Sequence, residues 1–322
     1  MLIHFLLARR GFNARVLALL PTLFFSGAFA SALPAGPAPA PSDAPLVNVI
    51  TRRDGEQTRF LVENNELCEV TMSFQMRLVN MVGSECFPCS VTFPAGKTTE
   101  AFTLTPTEPD AKWEYSYTNY YKLGSSIARH DDSFAYQLPF APGSKFKVSQ
   151  GYNGGFSHKG SNLYAIDWQM PEGTPVYAAR GGLVVKIRDS SDKGGPNIKF
   201  DPYNNYVLIR HDDGTLGHYC HLKKNGVCVR PGQVVRTGQL LAHSGNTGFS
   251  SGPHLHFSVF KTRDGKERIS IPVKFRTADD SVAMTLREGT RYRAAALPEP
   301  QTVIAAGPAF KGSADSQGSI GQ

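Results

Sequence analysis

The sequence predicts an all-β protein made of two β-rich segments, and three observations carry that prediction. From about Leu46 to Phe140, short apolar stretches alternate with a period of two between turn residues. A second set of such stretches runs from about Pro142 to Thr277, joined by glycine-rich turns. The second segment holds no convincing amphipathic helix.

Before the first segment come two stretches to set aside. Arg9, Arg10 and Arg15 precede an apolar run from Val16 to Ala30, and Ala28, Ala30 and Ala32 offer small-residue cleavage sites. That is the layout of a secretory signal peptide, expected at residues 1–30. Pro21, Ser26 and Gly27 interrupt the run, which falls short of the roughly 20 apolar residues of a membrane span. The mature protein is therefore expected in the periplasm or outside the cell, with no stable membrane insertion. Cleavage removes three arginines and no acid, lowering the formal charge from +7 to +4. No block of Lys or Arg stands out and no nucleic-acid motif appears, so charge selects no nucleic-acid partner. Residues 31–45 form a Pro/Ala-rich linker.

Within residues 46–140, Arg59–Val62, Val70–Phe74, Ser90–Phe93 and Trp113–Tyr117 read as strands of a β-sandwich-like domain. Aromatics at every second strand position are assigned to its core. In the second segment the strand candidates include Gly182–Ile187, Tyr206–Arg210, Leu216–Leu222, Val234–Leu241 and His254–Phe260. After Arg293 the chain turns rich in Ala, Gly, Ser, Pro and Gln, and residues 294–322 are expected to be a disordered tail. Five cysteines in an oxidising compartment leave at least one unpaired or pairing between chains. Cys86-Phe87-Pro88-Cys89 lacks a second such pair, and a structural disulfide from Cys68 to one of its members is the expectation. Cys220 and Cys228 are close in sequence, across what reads as a hairpin.

Seven of the nine histidines fall between His158 and His256, so the chemistry is sought in the second segment. The sharpest signal is Gly245-Asn246-Thr247-Gly248 followed by Ser250-Ser251-Gly252-Pro253-His254-Leu255-His256-Phe257. On a strand His254 and His256 share one face while Leu255 and Phe257 pack on the other. One such imidazole can bind a metal while the other handles protons. Two further clusters are His158-Lys159-Gly160 with Tyr164–Asp167, and Tyr219-Cys220-His221-Leu222. Zinc hydrolases use three ligands from His and Asp or Glu and keep one position for water.

These motifs resemble the lysostaphin-type or LytM-type peptidases of family M23, over about residues 142–277. Pro171–Ala179 adds to the likeness. The resemblance implies a compact antiparallel β domain that hydrolyses peptide bonds of peptidoglycan with one Zn²⁺ per chain. It implies His158, Asp167 and His256 as metal ligands, and His221 and His254 as catalytic histidines. One departure is that the family's commonest first motif, His-x-Gly-x-Asp, would place its acid at Asn162. Asp167 is preferred because its spacing to Gly173-Thr174-Pro175-Val176 fits. The simplest account is an insertion of Asn162–Ile166. The remaining histidines are assigned elsewhere: His218 to the other strand face from His221, His211 and His243 to strand ends, and His130 with Asp131 and Asp132 to a solvated loop. Two rival functions are a non-catalytic regulator of a wall amidase and a secreted protease acting on proteins.

Overall fold

The computed structural model describes residues 45–296. The expected signal peptide, all but the last residue of the Pro/Ala-rich linker, and the tail from residue 297 lie outside the described residues. Among the described residues the only helical elements are two 3-10 segments, Gly160–Asn162 and Ile198–Tyr203.

The first β-rich segment forms two antiparallel sheets. One runs in the order Val47–Asp54, Gln57–Asn64, Lys97–Pro106, Met81–Gly83, and the other Cys89–Phe93, Val70–Val79, Glu114–Leu123. Alternation explains the pairing of faces. Along Gln57–Asn64 the side chains of Thr58, Phe60, Val62 and Asn64 are buried in turn. Phe60 stacks on Phe102 with centroids 4.6 Å apart, and Phe74 from the other sheet meets Phe102 edge-on at 5.1 Å. Trp113, Tyr115 and Tyr117 pack against this core.

The second segment is organised by a nine-stranded antiparallel sheet. Its main path is Val234–Val235, Gly182–Arg188, Tyr206–Arg210, Leu216–Cys220, His254–Thr262, Ile166–Gln169, Lys145–Gln150 and Arg291–Arg293. The ninth strand, Arg268–Ile271, pairs with the far end of His254–Thr262. One face of this sheet is apolar. Ile166, Trp168, Tyr219, Leu255, Phe257 and Val259 point into a core closed by the three-stranded sheet of Pro175–Tyr177, Leu240–Ser244 and Leu222–Val227. The opposite face carries the intervening residues of the same strands and forms the floor of a groove.

Two expectations about element boundaries change. Tyr136, Leu138 and Phe140 belong to the core of the second unit, as do Leu286, Tyr292 and Ala294. Arg291–Arg293 extends the main sheet beyond Lys145–Gln150, and Ala135–Gln137 pairs with Lys274–Arg276. The packed unit therefore begins before Phe140 and reaches past Thr277 to at least Ala294, which is buried rather than part of a free tail. Leu216–Leu222 is two strands, because His221 takes a left-handed backbone (φ 61°) and sends the chain from the main sheet into the smaller one. Cys220 and Cys228 are thus not hairpin partners. All five cysteines are free thiols, and the expected Cys68 disulfide is absent. Cys68 is instead buried against Leu208, Leu216 and Phe260 where the two units meet.

That junction is polar as well as apolar. Arg210 donates a bidentate pair to Glu69 at 2.7 and 2.6 Å, and Thr262 Oγ1 donates to Leu123 O at 2.6 Å. Gly265, in the turn after His254–Thr262, donates to Ser73 Oγ at 2.8 Å. A Cβ at Gly265 would lie 2.1 Å from Tyr120 O, so this contact requires glycine.

Phe257 sits centrally among these core aromatics, 4.8 Å from Tyr219 and 6.0 Å from Phe275. Phe257→Ala is expected to lower unfolding stability by about 3–5 kcal/mol in urea titration. A loss well under 1 kcal/mol would contradict this account of the core.

Candidate metal centre

The register of the main sheet assembles the site. Cys220 pairs with His256, His256 with Asp167, and Asp167 with Gln150. Residues directly opposite on neighbouring antiparallel strands share a face. Four separate stretches of sequence therefore deliver one transverse row across the groove floor. His254, two residues before His256, lies on the same face and pairs with Gln169.

His158 reaches this row from the loop after Lys145–Gln150. His158, Asp167 and His256, all buried, offer ligand atoms within 4.8 Å of one another. Asp167 Oδ1 is the shared point, 3.2 Å from His158 Nε2 and 2.8 Å from His256 Nδ1. His158 Nδ1 donates to Gly151 O at 2.7 Å, because a carbonyl oxygen only accepts. Its Nε2 therefore carries the lone pair in the neutral ring, and it is buried without a hydrogen-bond partner. A lone pair facing a carboxylate oxygen calls for a cation between them or a proton on the ring. Burial disfavours the charged ring, but the Asp167 carboxylate outweighs it and raises the His158 pKa. Burial alone would also push Asp167 up; His256, His158 and His254 instead hold it well below the usual carboxylate range. Two nitrogens and one carboxylate oxygen converging here fit a divalent zinc ion, the donor set of a catalytic site with a position left for water.

Beside this group lie His221 and His254, with ring centroids 4.5 Å apart. His221 Nδ1 donates to Thr247 O at 2.7 Å, and His254 Nδ1 to Gly252 O at 2.8 Å. Both rings are thereby held in the tautomer that presents a free Nε2. His254 Nε2 lies 3.9 Å from Asp167 Oδ1. Burial, helped by the neighbouring His254 and His256, depresses the His221 pKa to about 3, so it is neutral at physiological pH. The left-handed backbone that breaks the strand at His221 is what turns this ring toward the site. Asn204 Oδ1 accepts from His221 N at 2.8 Å and fixes the bend.

The structure brings together all five residues singled out in the sequence. It also shows partners that the sequence did not announce. Gln150 Nε2 donates to Asp167 Oδ2 at 3.0 Å and to Ser157 Oγ at 2.8 Å, while its Oε1 accepts from the backbone of Phe156 and Ser157. It thus ties the carboxylate to the loop that carries His158. A Cβ at Gly154 would come 2.2 Å from Gln150 Cγ, which explains that glycine. Asn162 stands apart from the metal group, with its Oδ1 accepting from Arg268 Nη2 at 2.8 Å. His218, expected on the opposite face from His221, lines the same groove because His221 has left the strand. His211 donates to Gly181 O, His243 contacts Gly226 O, and His130 pairs with Asp132, all outside the metal group.

The peptidase family M23 profile matches residues 161–268. The chain carries a family M23 peptidase domain. Among its relatives, the peptidoglycan DD-endopeptidase ShyA of Vibrio cholerae is 35% identical over 144 residues, covering 44% of this chain and 29% of that protein. Lysostaphin of Staphylococcus simulans is 38% identical over 107 residues, covering 33% of this chain and 18% of lysostaphin. The solved catalytic domain of lysostaphin matches 39% of this chain and 87% of that domain at 27% identity, with a TM-score of 0.29. The chain spans less than a third of the length of either curated relative. The first β-rich segment lies outside the match to the M23 profile.

Gln150 tests the support around the M23 site. Gln150→Ala is expected to weaken metal affinity about 10–100-fold in a competitive chelator titration while the fold survives. Unchanged affinity would deny Gln150 its part in orienting Asp167.

Proposed function

We propose that this chain is an exported zinc metalloendopeptidase that hydrolyses the peptide cross-links of bacterial peptidoglycan. One observation carries the reading: a buried His158 Nε2 without a hydrogen-bond partner faces the Asp167 carboxylate, next to two histidines with free Nε2 atoms. The M23 match and the likeness to ShyA, a peptidoglycan DD-endopeptidase, support peptide bonds of the cell wall as the substrate class. Export is supported by the signal-peptide layout of residues 1–30.

His158, Asp167 and His256 would hold the ion through Nε2, Oδ1 and Nδ1. A bound zinc supplies a water with its pKa lowered to about 7 and polarises the scissile carbonyl. His221 and His254 divide the proton work. Each has its Nδ1–H committed to a backbone carbonyl, so only Nε2 can accept a proton from the attacking water. Once protonated, that nitrogen becomes a donor, to the developing oxyanion or to the leaving amine. Burial keeps His221 from holding a proton in the resting state.

The test combines zinc content with release of soluble peptides from purified peptidoglycan, using protein lacking residues 1–30. The wild type is expected to carry about one zinc per chain. His221→Ala and His254→Ala should keep the metal and lose about 10²–10⁴-fold in release. Asp167→Ala and His256→Ala should lose the metal itself. Zinc retained by both ligand variants would overturn the ligand assignment. A zinc-loaded wild type that releases nothing would overturn the cell-wall reading and favour a regulator or a protease of other substrates.

A further inference from the structure

The groove beyond the metal group, about 900 Å³ in volume, is lined by six Lys or Arg side chains against two carboxylates. Arg263 pairs with Glu267, Lys186 lies 3.6 Å from Glu66, Arg188 donates to Pro202 O, and Lys266 sits over the Tyr120 ring. Lys122 is exposed. Arg268 is half-buried, and among the described residues no carboxylate lies within ion-pair distance of it. Asp201 also lines the groove and acts on it only from beyond that reach.

Its guanidinium is nonetheless firmly placed. It lies 4.7 Å over the Phe260 ring, Nη2 donates to Asn162 Oδ1 at 2.8 Å, and Nη1 is 3.5 Å from His218 Nδ1. The turn that leads into Arg268 is clamped to the first domain through Gly265 and Ser73. Holding a half-buried guanidinium this way leaves several of its five N–H donors without a protein acceptor. Such a fork matches a planar carboxylate.

Position along the sheet sets which part of a substrate it would meet. His218 pairs with Ser258 and Cys220 with His256, so a group touching His218 is two residues along the strand from a metal ligand. That is about 7 Å, or two residues of extended peptide.

We infer that Arg268, placed by Phe260 and Asn162, is a specificity residue that binds a free carboxylate of the substrate peptide within about two residues of the cleaved bond. Asn162 is then a positioning residue for this subsite. The inference deepens the peptidase reading and rests on it for the identity of the substrate.

Binding to the His254→Ala protein separates the two claims, because it needs no turnover. The probes are a soluble cross-linked wall dimer in its native form and the same dimer with its free carboxyls converted to amides, read by calorimetry. His254→Ala should bind the native form at least about tenfold more tightly. Adding Arg268→Gln should remove that preference, leaving both forms at the affinity of the amidated one, with zinc content unchanged. Arg268→Lys keeps the charge without the fork and is expected to lose most of the preference. It serves as the second variant should the Gln protein not fold. No binding of either form, no preference, or a preference that survives both substitutions would overturn the inference. Failure of the peptidase reading shows elsewhere, as a zinc-loaded wild type that releases no peptide from walls.

Discussion

A buried carboxylate in the middle of a sheet is costly unless charge and hydrogen bonds meet it from every side. Asp167 is in that position, and much of the second domain can be understood as its compensation. Gln150 reaches one oxygen from the neighbouring strand, while His256 and His158 reach the other. All of these depend on register. A slip of one residue in the pairing of Ile166–Gln169 with His254–Thr262 would bring Trp168 to the groove and Asp167 into the hydrocarbon core. The aromatic layer of Trp168, Tyr219 and Phe257 beneath the sheet is therefore more than stability. It pins the register that puts the acid among the imidazoles.

Which parts of this were legible in the sequence follows from how local each determinant is. His254 and His256 announce themselves because a two-residue period on a strand is local. Asp167 could be placed by its spacing to the next motif. The inward turn of His221 could not, since it depends on a left-handed backbone at a residue with no glycine to signal it. Gln150 gives no signal at all, because an amide near the end of a strand gains its part only when the sheet closes. The cysteines misled for a related reason. Spacing along the chain suggested pairings, whereas the fold sends Cys220 and Cys228 away along different sheets and spends Cys68 on the contact between domains.

The boundary at Thr277 was misplaced because the closing strand, Arg291–Arg293, is three residues long and is recognised only by its partner across the sheet. The first domain shows the complementary limit. Its period-two pattern foretold strands and an aromatic core. Nothing local indicated that Ser73, Glu69 and Leu123 would grip the M23 domain, or that Lys122 and Leu123 would line the groove.

Three of the imidazoles in the site are oriented by main-chain oxygens, those of Gly151, Thr247 and Gly252. No point substitution can delete a carbonyl. The tautomers are thus set by the path of three loops rather than by the side chains those loops display. This separates two kinds of freedom. Loop sequences can drift, or be exchanged by an engineer seeking another cleavage preference, without disturbing proton placement at the centre, provided the backbone trace is kept. Insertions or deletions in the same loops have no such latitude.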